Sequence, residues 1–400
     1  MMLKLGKINI KDIIRFIGNA LFLMLIFVIL IDPANTLLHK KDILFILLTA
    51  FCIIFYKPDF SKLPLICMMF LAVLIPWLIA AINMRNIDTE DVLHIFKSIS
   101  PIILLLWVRE FDLLNLSRIP TLFCCILMDT FFCLILIFPE VEGILYNTDS
   151  IENESIFMTR RWFWGHEFFL MYLKSTVAMF LVVTFYFYKF IDKRLRTFGS
   201  FLTFIFILFY FLFSGTRSTM LIPFFIIGIC LFSIYRNNPQ AKRIFYPLFF
   251  IGAIIFVSTI LILASETQEY SNAIKYGHIV SYIELFENNP WILITGQGPG
   301  ANFFTEGFGS WVFQTEWSYL DLIRWFGLFS LPIIGVFAFP LISLWKYRAD
   351  NLTFSLFWTY VAYLAIAGTN PLLLSSTGML ALLIAYSYRE KITKQFSTTQ

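Results

Sequence analysis

Few side chains in this chain could do chemistry, and one of them is isolated between apolar segments. Arg217 follows Ser214 in "FYFLFSGTRSTMLIPFF" and directly precedes a helix predicted to begin near Ser218. A guanidinium beside the free N–H groups of a helix N-terminus forms a binding site for an anion such as phosphate. The alternative is an arginine whose long side chain only reaches the membrane interface.

A second group of candidates lies in the polar stretch 265–318. Residues 272–286 predict an amphipathic helix that ends near Asn288, with Lys275 and His278 three residues apart on one face.

Three charged side chains follow where this stretch returns to the apolar sequence, in "QTEWSYLDLIRWFG". Glu316 stands just outside the next span and is a candidate for proton transfer. Arg324 is three residues beyond Asp321, a spacing at which the two pair on a helix. Arg324 is therefore a candidate for anion binding, with a buried pair that only locks the helix as the alternative.

The glycines of "GQGPG" offer turns with exposed amides. Gly296, Gly298 and Gly300 are candidate substrate contacts, although a surface turn explains them equally. The pattern lacks a preceding strand and a following lysine, so it matches neither a dinucleotide fingerprint nor a phosphate loop.

The segment "RRWFWGHEFF" supplies a further candidate surface. Arg160, Arg161 and His166 could bind a lipid headgroup or a sugar, or they could form an ordinary interfacial belt. The stretch "DTED", residues 88–91, is interpreted as a solvated loop, and the six cysteines show no metal-ligand spacing. We predict no metal, no other cofactor and no nucleic-acid partner.

The elements that must position these residues are membrane helices. Hydrophobic residues make up 59% of the 400 residues and charged residues only 14%, a composition far from that of a soluble domain. The apolar runs predict an all-α polytopic bundle of about 12 transmembrane helices in a single integral membrane domain, residues 1–400. The predicted spans are about 16–32, 37–56, 64–82, 92–108, 120–138, 168–188, 198–213, 219–235, 244–264, 319–345, 352–368 and 372–388.

The charge distribution predicts the orientation. With both termini in the cytoplasm, most of the 30 basic residues fall in cytoplasmic segments, as cationic residues prefer. Two larger loops, about 139–167 and 265–318, then face the outside, and Arg217 lies at the outer surface.

The order of these motifs resembles the O-antigen polymerase and ligase superfamily, and within it the Wzy-type polymerases of bacterial surface polysaccharides. The resemblance covers roughly residues 200–335: "SGTRS", a basic residue fifteen positions before the proline of "NP", "GQGPG", and Glu316 with a glycine eleven residues later. The spacings from Arg217 to Gly228 and from Arg324 to Gly335 are similar to an arginine, ten residues, glycine motif of the polymerases.

The resemblance implies a GT-C-like glycosyltransferase of the bacterial inner membrane that acts at the periplasmic face. Its donor would be a glycan on polyprenyl (undecaprenyl) diphosphate, its acceptor a lipid-linked repeat unit, and the anomeric centre would be inverted. Arg217 and Lys275 would hold the diphosphate, and Glu316 or His278 would be the base. A chain-length regulator and a flippase would be partners. A ligase that transfers polymer to the lipid A core and a lipid-linked oligosaccharide flippase are the alternatives.

Overall fold

The computed structural model describes residues 9–35, 38–83, 88–146, 155–163, 166–214, 217–240, 243, 247 and 270–397. Side chains are described for most of these positions, but not for 144–146, 159, 161–163, 166–168, 217–218 and 270–271. The described chain is mostly helical, with two small antiparallel hairpins. The general expectation of a helical bundle is confirmed for this part of the chain.

The helices of the first half alternate with 3-10 segments and one hairpin. They are α1 (Ile10–Ile31), α2 (Lys41–Phe55), α3 (Leu63–Ile82), α4 (Thr89–Ile99) with a 3-10 extension Ser100–Glu110, α5 (Leu113–Leu116), α6 (Arg118–Ile137) and α7 (Glu140–Tyr146). Strands β1 (Ile156–Phe163) and β2 (His166–Leu173) follow, and then a 3-10 segment Lys174–Met179, α8 (Phe180–Ile191) and α9 (Phe198–Phe213).

The second half contains the candidate site and the last membrane helices. Its elements are α10 (Arg217–Tyr235), α11 (Tyr270–Asn288), α12 (Ile292–Thr295), β3 (Phe303–Thr305), β4 (Ser310–Val312), α13 (Ser318–Phe326), a 3-10 turn Gly327–Phe329, α14 (Ser330–Lys346), α15 (Asn351–Ala367) and α16 (Ser376–Ser397). Several helices begin at a polar cap: the side chains of Asn9, Asp88, Thr197 and Asp350 accept hydrogen bonds from first-turn N–H groups.

Six helical segments in the described residues are long and apolar enough to cross a membrane. They are Ile10–Ile31, Phe60–Ile82, Thr89–Glu110, Leu113–Ile137, Lys174–Ile191 and Ser318–Lys346, and shorter apolar helices occupy Phe198–Phe213, Thr219–Tyr235 and Asn351–Ala367. Large apolar side chains such as Ile54, Ile82 and Phe198 are more than two-thirds exposed, as lipid-facing residues would be. The predicted span 244–264 lies outside the described residues except for position 247, and the total of twelve stays a prediction.

The predicted span 168–188 is wrong at its N-terminal end. Residues 166–173 form β2 and pair with β1, with Arg160 opposite Phe169, so the helical segment begins only at Lys174. Pairing between the strands satisfies their backbone groups. Hydropathy alone cannot distinguish an aromatic-rich strand from the start of an apolar helix.

The predicted span 319–345 coincides with the candidate membrane span Ser318–Lys346, which contains a break. Gly327 has a φ of +56°, which ends α13 at Phe326, and α14 begins at Ser330 after one 3-10 turn. A left-handed φ is accessible to glycine at little cost. The apolar run is therefore two helices joined by a turn rather than one straight helix.

The contacts divide the chain into two compact units. The first consists of Met1–Leu63, Pro101–Pro223 and Leu380–Gln400, and the second of Pro64–Ser100 and Phe224–Met379. Phe22, Phe180 and Phe211 are fully buried in the first unit, and Phe326 and Tyr360 in the second. Arg217 belongs to the first unit, whereas Lys275, His278 and Glu316 belong to the second.

Candidate functional site

The candidate site is built on α11, whose predicted helix is confirmed with ends at Tyr270 and Asn288. The β3–β4 hairpin packs on this helix through two glycines. A Cβ added to Gly277 would lie 2.6 Å from the amide nitrogen of Gly307, so the two backbones touch. The N–H of Glu306 also donates to Ser281 Oγ at 2.8 Å. This contact fixes the tip of the hairpin over one face of α11.

His278 lies beneath that hairpin tip. Its side chain is not exposed, and Nδ1 is 2.6 Å from the hydroxyl of Thr305 at the end of β3. Nε2 is buried and has no hydrogen-bond partner, and the ring of Phe308 packs edge-on at 4.5 Å between centroids. Burial lowers the pKa of His278 below its ordinary value of 6.5; Glu316 and Asp321 oppose this shift, and Lys275 adds to it. The imidazole is therefore neutral at neutral pH.

Lys275 and Glu316 form the accessible part of the site. Lys275 Nζ is 3.2 Å from a carboxylate oxygen of Glu316, and the two side chains are 32% and 34% exposed. The indole N–H of Trp317 donates to the carbonyl oxygen of Lys275 at 3.2 Å, which ties the two segments together. A cation and a carboxylate thus stand side by side at a surface, one helical turn from the buried imidazole.

The ion pair predicted between Asp321 and Arg324 is present. Arg324 Nη2 is 2.9 Å from Asp321 Oδ1, and neither side chain is exposed. The remaining guanidinium N–H groups donate to Gln297 Oε1 at 3.1 Å, to the carbonyl oxygen of Ala301 at 2.6 Å, and to the carbonyl oxygen of Phe313. Arg324 Nε also donates to Asp321 Oδ1, so all five N–H groups of the guanidinium are engaged.

This network bears on the predicted role of Arg324 in diphosphate binding, which stays a prediction. A guanidinium with no exposed surface and five engaged donors has no capacity for a further anion in this conformation. Asp321 is saturated as well, since it accepts from Tyr282 Oη at 2.6 Å and from the Thr315 amide and hydroxyl at 2.8 and 3.0 Å. Arg324 instead holds α11, α13 and the glycine loop in register.

The glycine loop packs against α13 through its backbone. The amides of Gln297 and Gly298 donate to the carbonyl oxygens of Arg324 and Trp325 at 2.6 and 3.0 Å. Gly296, Gly298 and Gly300 all have positive φ values and are buried. Their requirement for glycine is conformational, and the assignment of these three residues to substrate binding stays a prediction.

The remaining predicted residues belong to the first unit. Arg160, on β1, makes a two-pronged contact with Glu142, at 3.1 and 2.5 Å. Arg161 and His166 lie on β1 and β2, and their side chains lie outside the described residues. Arg217 is the first residue of α10, as expected for a residue at a helix N-terminus, and its side chain is likewise not described. Beside it, the hydroxyls of Ser214 and Thr219 are 2.5 Å apart.

Sequence reasoning missed two sets of residues. Thr305 and Tyr282 orient His278 and Asp321, and nothing in their local sequence marks them, because these partners are 27 and 39 residues away along the chain. Thr315 joins the same group: it contacts Tyr282, 33 residues earlier, and Asp321, six residues later. Asp129 was also missed, although a carboxylate in the middle of an apolar run is a recognisable signal. Its side chain is buried within α6.

No family model, curated protein or solved structure matches this chain. Lys275 can bind an anionic group, and Glu316 beside it can accept a proton. Among the residues that the structure describes, no three His, Cys, Asp or Glu side chains are grouped to hold a metal ion.

Proposed function

We propose that this protein is a membrane glycosyltransferase that polymerises a surface polysaccharide from repeat units carried on polyprenyl diphosphate. The observation that carries the proposal is the half-buried pair of Lys275 and Glu316, 3.2 Å apart on two segments that the Trp317–Lys275 hydrogen bond joins. A lipid diphosphate needs a cationic partner near the membrane surface, and a sugar hydroxyl needs a base. The pair offers both groups at one place.

In the proposed reaction the diphosphate of the donor is the leaving group. The hydroxyl of an incoming lipid-linked repeat unit attacks the anomeric carbon, the bond from that carbon to the diphosphate oxygen breaks, and the hydroxyl proton passes to the base. Lys275 stabilises the negative charge that develops on the diphosphate. One displacement of this kind inverts the anomeric centre. The donor glycan is thereby transferred to the acceptor, and polyprenyl diphosphate is released.

The geometry favours Glu316 over His278 as the base. Glu316 is one-third exposed, whereas His278 has no exposed surface under the hairpin tip. A base must come within about 3 Å of the proton it removes. His278 fixes the hairpin on α11 through Thr305, and we assign it a positioning role in the proposed reaction.

The ion pair also suggests an order of events in which binding of the donor makes Glu316 available as a base. A diphosphate that approaches Lys275 competes with Glu316 for the ammonium group, because one lysine has few donors to share. Binding of the donor would then release Glu316 from its partner. The carboxylate would become available only when a leaving group is already in place.

The decisive experiment is a reconstitution with purified full-length protein and a lipid-diphosphate-linked repeat unit, read as a ladder on a gel. We expect a ladder in the wild type and its loss in Glu316→Gln and Arg217→Ala. The Arg217→Ala variant tests the anion-binding role expected of Arg217, independently of Lys275. The matched control is Lys391→Gln, which breaks an exposed lysine–carboxylate pair with Asp112 elsewhere in the chain. A wild-type ladder in both Glu316→Gln and Arg217→Ala would exclude these assignments.

A lipid-linked oligosaccharide flippase is the second candidate. The turn at Gly327 within a membrane segment and the buried carboxylate of Asp129 favour it, because transporters use interrupted helices and intramembrane charges. Movement of the same substrate across vesicles without any ladder would select the flippase. Transfer of preformed polymer to a lipid A core, without polymerisation, would select the ligase.

A further inference from the structure

Helix α6 carries a row of polar side chains at four-residue spacing. Ser117 occupies the N-cap position without a side-chain capping hydrogen bond, and Thr121, Cys125 and Asp129 follow along the same ridge, about 6 Å apart per step. All four side chains are at least nine-tenths buried. The helix belongs to the candidate membrane span Leu113–Ile137, in which Asp129 lies well inside both ends.

Three of these side chains have buried polar atoms without a partner. Ser117 Oγ, Thr121 Oγ1 and Asp129 Oδ2 make no hydrogen bond to any residue that the structure describes. In a membrane helix a serine or threonine hydroxyl ordinarily bonds to the carbonyl oxygen one turn earlier, as Thr130 does with Ile126 at 2.7 Å. The row therefore presents unsatisfied polar atoms to the interior of the first unit. Ordered water or a proton could satisfy such atoms.

Among the described residues, the groups packed around Asp129 offer no compensating charge. Within the described residues no lysine, arginine or histidine makes an ion pair with it, and Arg118, eleven residues earlier, has its guanidinium 4.5 Å from the ring centroid of Phe185. Tyr210, on α9, has its hydroxyl 2.5 Å from Thr176. The ionisable residues of the elements in contact with α6 are Lys11, Asp12 and Arg15 on α1, Glu140, Glu142 and Tyr146 on α7, His166, Glu167 and Tyr172 on β2, Tyr210 on α9, and Cys124, Cys125 and Cys133 on α6 itself.

A carboxylate buried in a membrane without a counter-charge is costly, so it either carries a proton or binds a cation. The described site has one carboxylate, two hydroxyls and a thiol, whereas a metal cation needs several oxygen ligands at once. We propose that Asp129 is a proton-binding site inside the membrane. Protons reach it from the Ser117 end of α6 along the row formed by Ser117, Thr121 and Cys125. This site is separate from Lys275 and Glu316 and does not depend on the proposed polymerase activity.

Dicyclohexylcarbodiimide, which partitions into lipid, tests the proposal on the full-length protein in vesicles. The reagent adds to a protonated carboxylic acid to give an O-acylurea that rearranges to an N-acylurea, so the labelled peptide gains the mass of the whole reagent. We expect labelling of the peptide that contains Asp129, decreasing as the pH is raised. Labelling is expected to persist in Asp129→Glu and to vanish in Asp129→Asn. It should also persist in Thr130→Val, because the hydroxyl of Thr130 lies off the row.

The row is tested by the rate at which labelling responds to a sudden change of pH. We expect a slower response in Thr121→Val and an unchanged one in Thr130→Val, since only the first removes a hydroxyl from the row. Absence of label at Asp129, or labelling that ignores the external pH, would overturn the proposal. Suppression of labelling by sodium or potassium at constant pH would also overturn it and identify a metal-cation site instead.

Discussion

Asp321 and Arg324 face each other at 2.9 Å on one turn of α13, and neither side chain is exposed to solvent. Because every donor of the guanidinium is engaged, this pair joins α13 to the glycine loop, to the end of β4 and, through Tyr282, to α11. The position of the candidate site therefore depends on a charge pair that takes no part in its chemistry.

We expect Arg324→Gln to destabilise the protein by about 3–5 kcal/mol, because it leaves the Asp321 carboxylate buried and unpaired. Thermal unfolding in detergent would measure the loss. The control is Arg194→Gln, which breaks a pair with Asp192 whose arginine is 83% exposed and should change stability by about 0–1 kcal/mol. Equal effects of the two substitutions would show that the buried network is not important for stability.

Gly327→Ala should destabilise the fold by about 1–3 kcal/mol, the usual cost of forcing a side chain into an unfavourable backbone conformation. Gly327 has a φ of +56°, and an added Cβ would lie 2.6 Å from the amide nitrogen of Gly296. Gly335→Ala is the matched control in the next helix, where an added Cβ meets nothing within 4 Å. We expect the control to be neutral or to gain about 0.5–1 kcal/mol from its helical position, as measured by the same melting curves.

Glu316→Gln should lower the rate of polymerisation about 10²–10⁴-fold, the usual contribution of a general base, while leaving the melting temperature nearly unchanged. Lys275→Gln should also lower the rate, because the diphosphate loses its cation. The exchanged double variant Lys275→Glu with Glu316→Lys restores an ion pair but not the chemistry. If that variant recovers activity, the pair has only a structural role.

The pH dependence of stability should report on His278. Burial holds its pKa in the folded state below the ordinary 6.5, so the unfolded chain takes up the proton first as the pH falls. The contribution of neutral His278 to the free energy of unfolding is fully present above about pH 6.5. It decreases as the pH falls below 6.5 and is lost below the folded-state pKa. Melting temperatures across this range should fall less for His278→Asn than for the wild type. His39→Asn, an exposed histidine, should behave as the wild type does, and an identical pH profile in His278→Asn would contradict the expectation.

The sequence was sufficient to predict what depends on local spacing. Helix α11 and the Asp321–Arg324 pair both follow from periodicity along a single segment. The β1–β2 hairpin and the turn at Gly327 were missed, because strand pairing and left-handed backbone conformations depend on contacts that hydropathy does not record. The unpartnered Nε2 of His278 was equally beyond prediction, since it results from a hairpin that folds back across 27 residues to place Thr305 on the other nitrogen.

The contact between Gly277 and Gly307 has a consequence for how this sequence can change over time. A side chain at position 277 would collide with the hairpin backbone, and one at position 307 would lie 2.5 Å from His278 Nδ1. Neither position can accept a larger residue unless the hairpin moves away, and movement would release the histidine as well. Related chains that keep this hairpin should therefore keep both positions small, and those that lose one glycine should show accompanying changes at the other and at position 278.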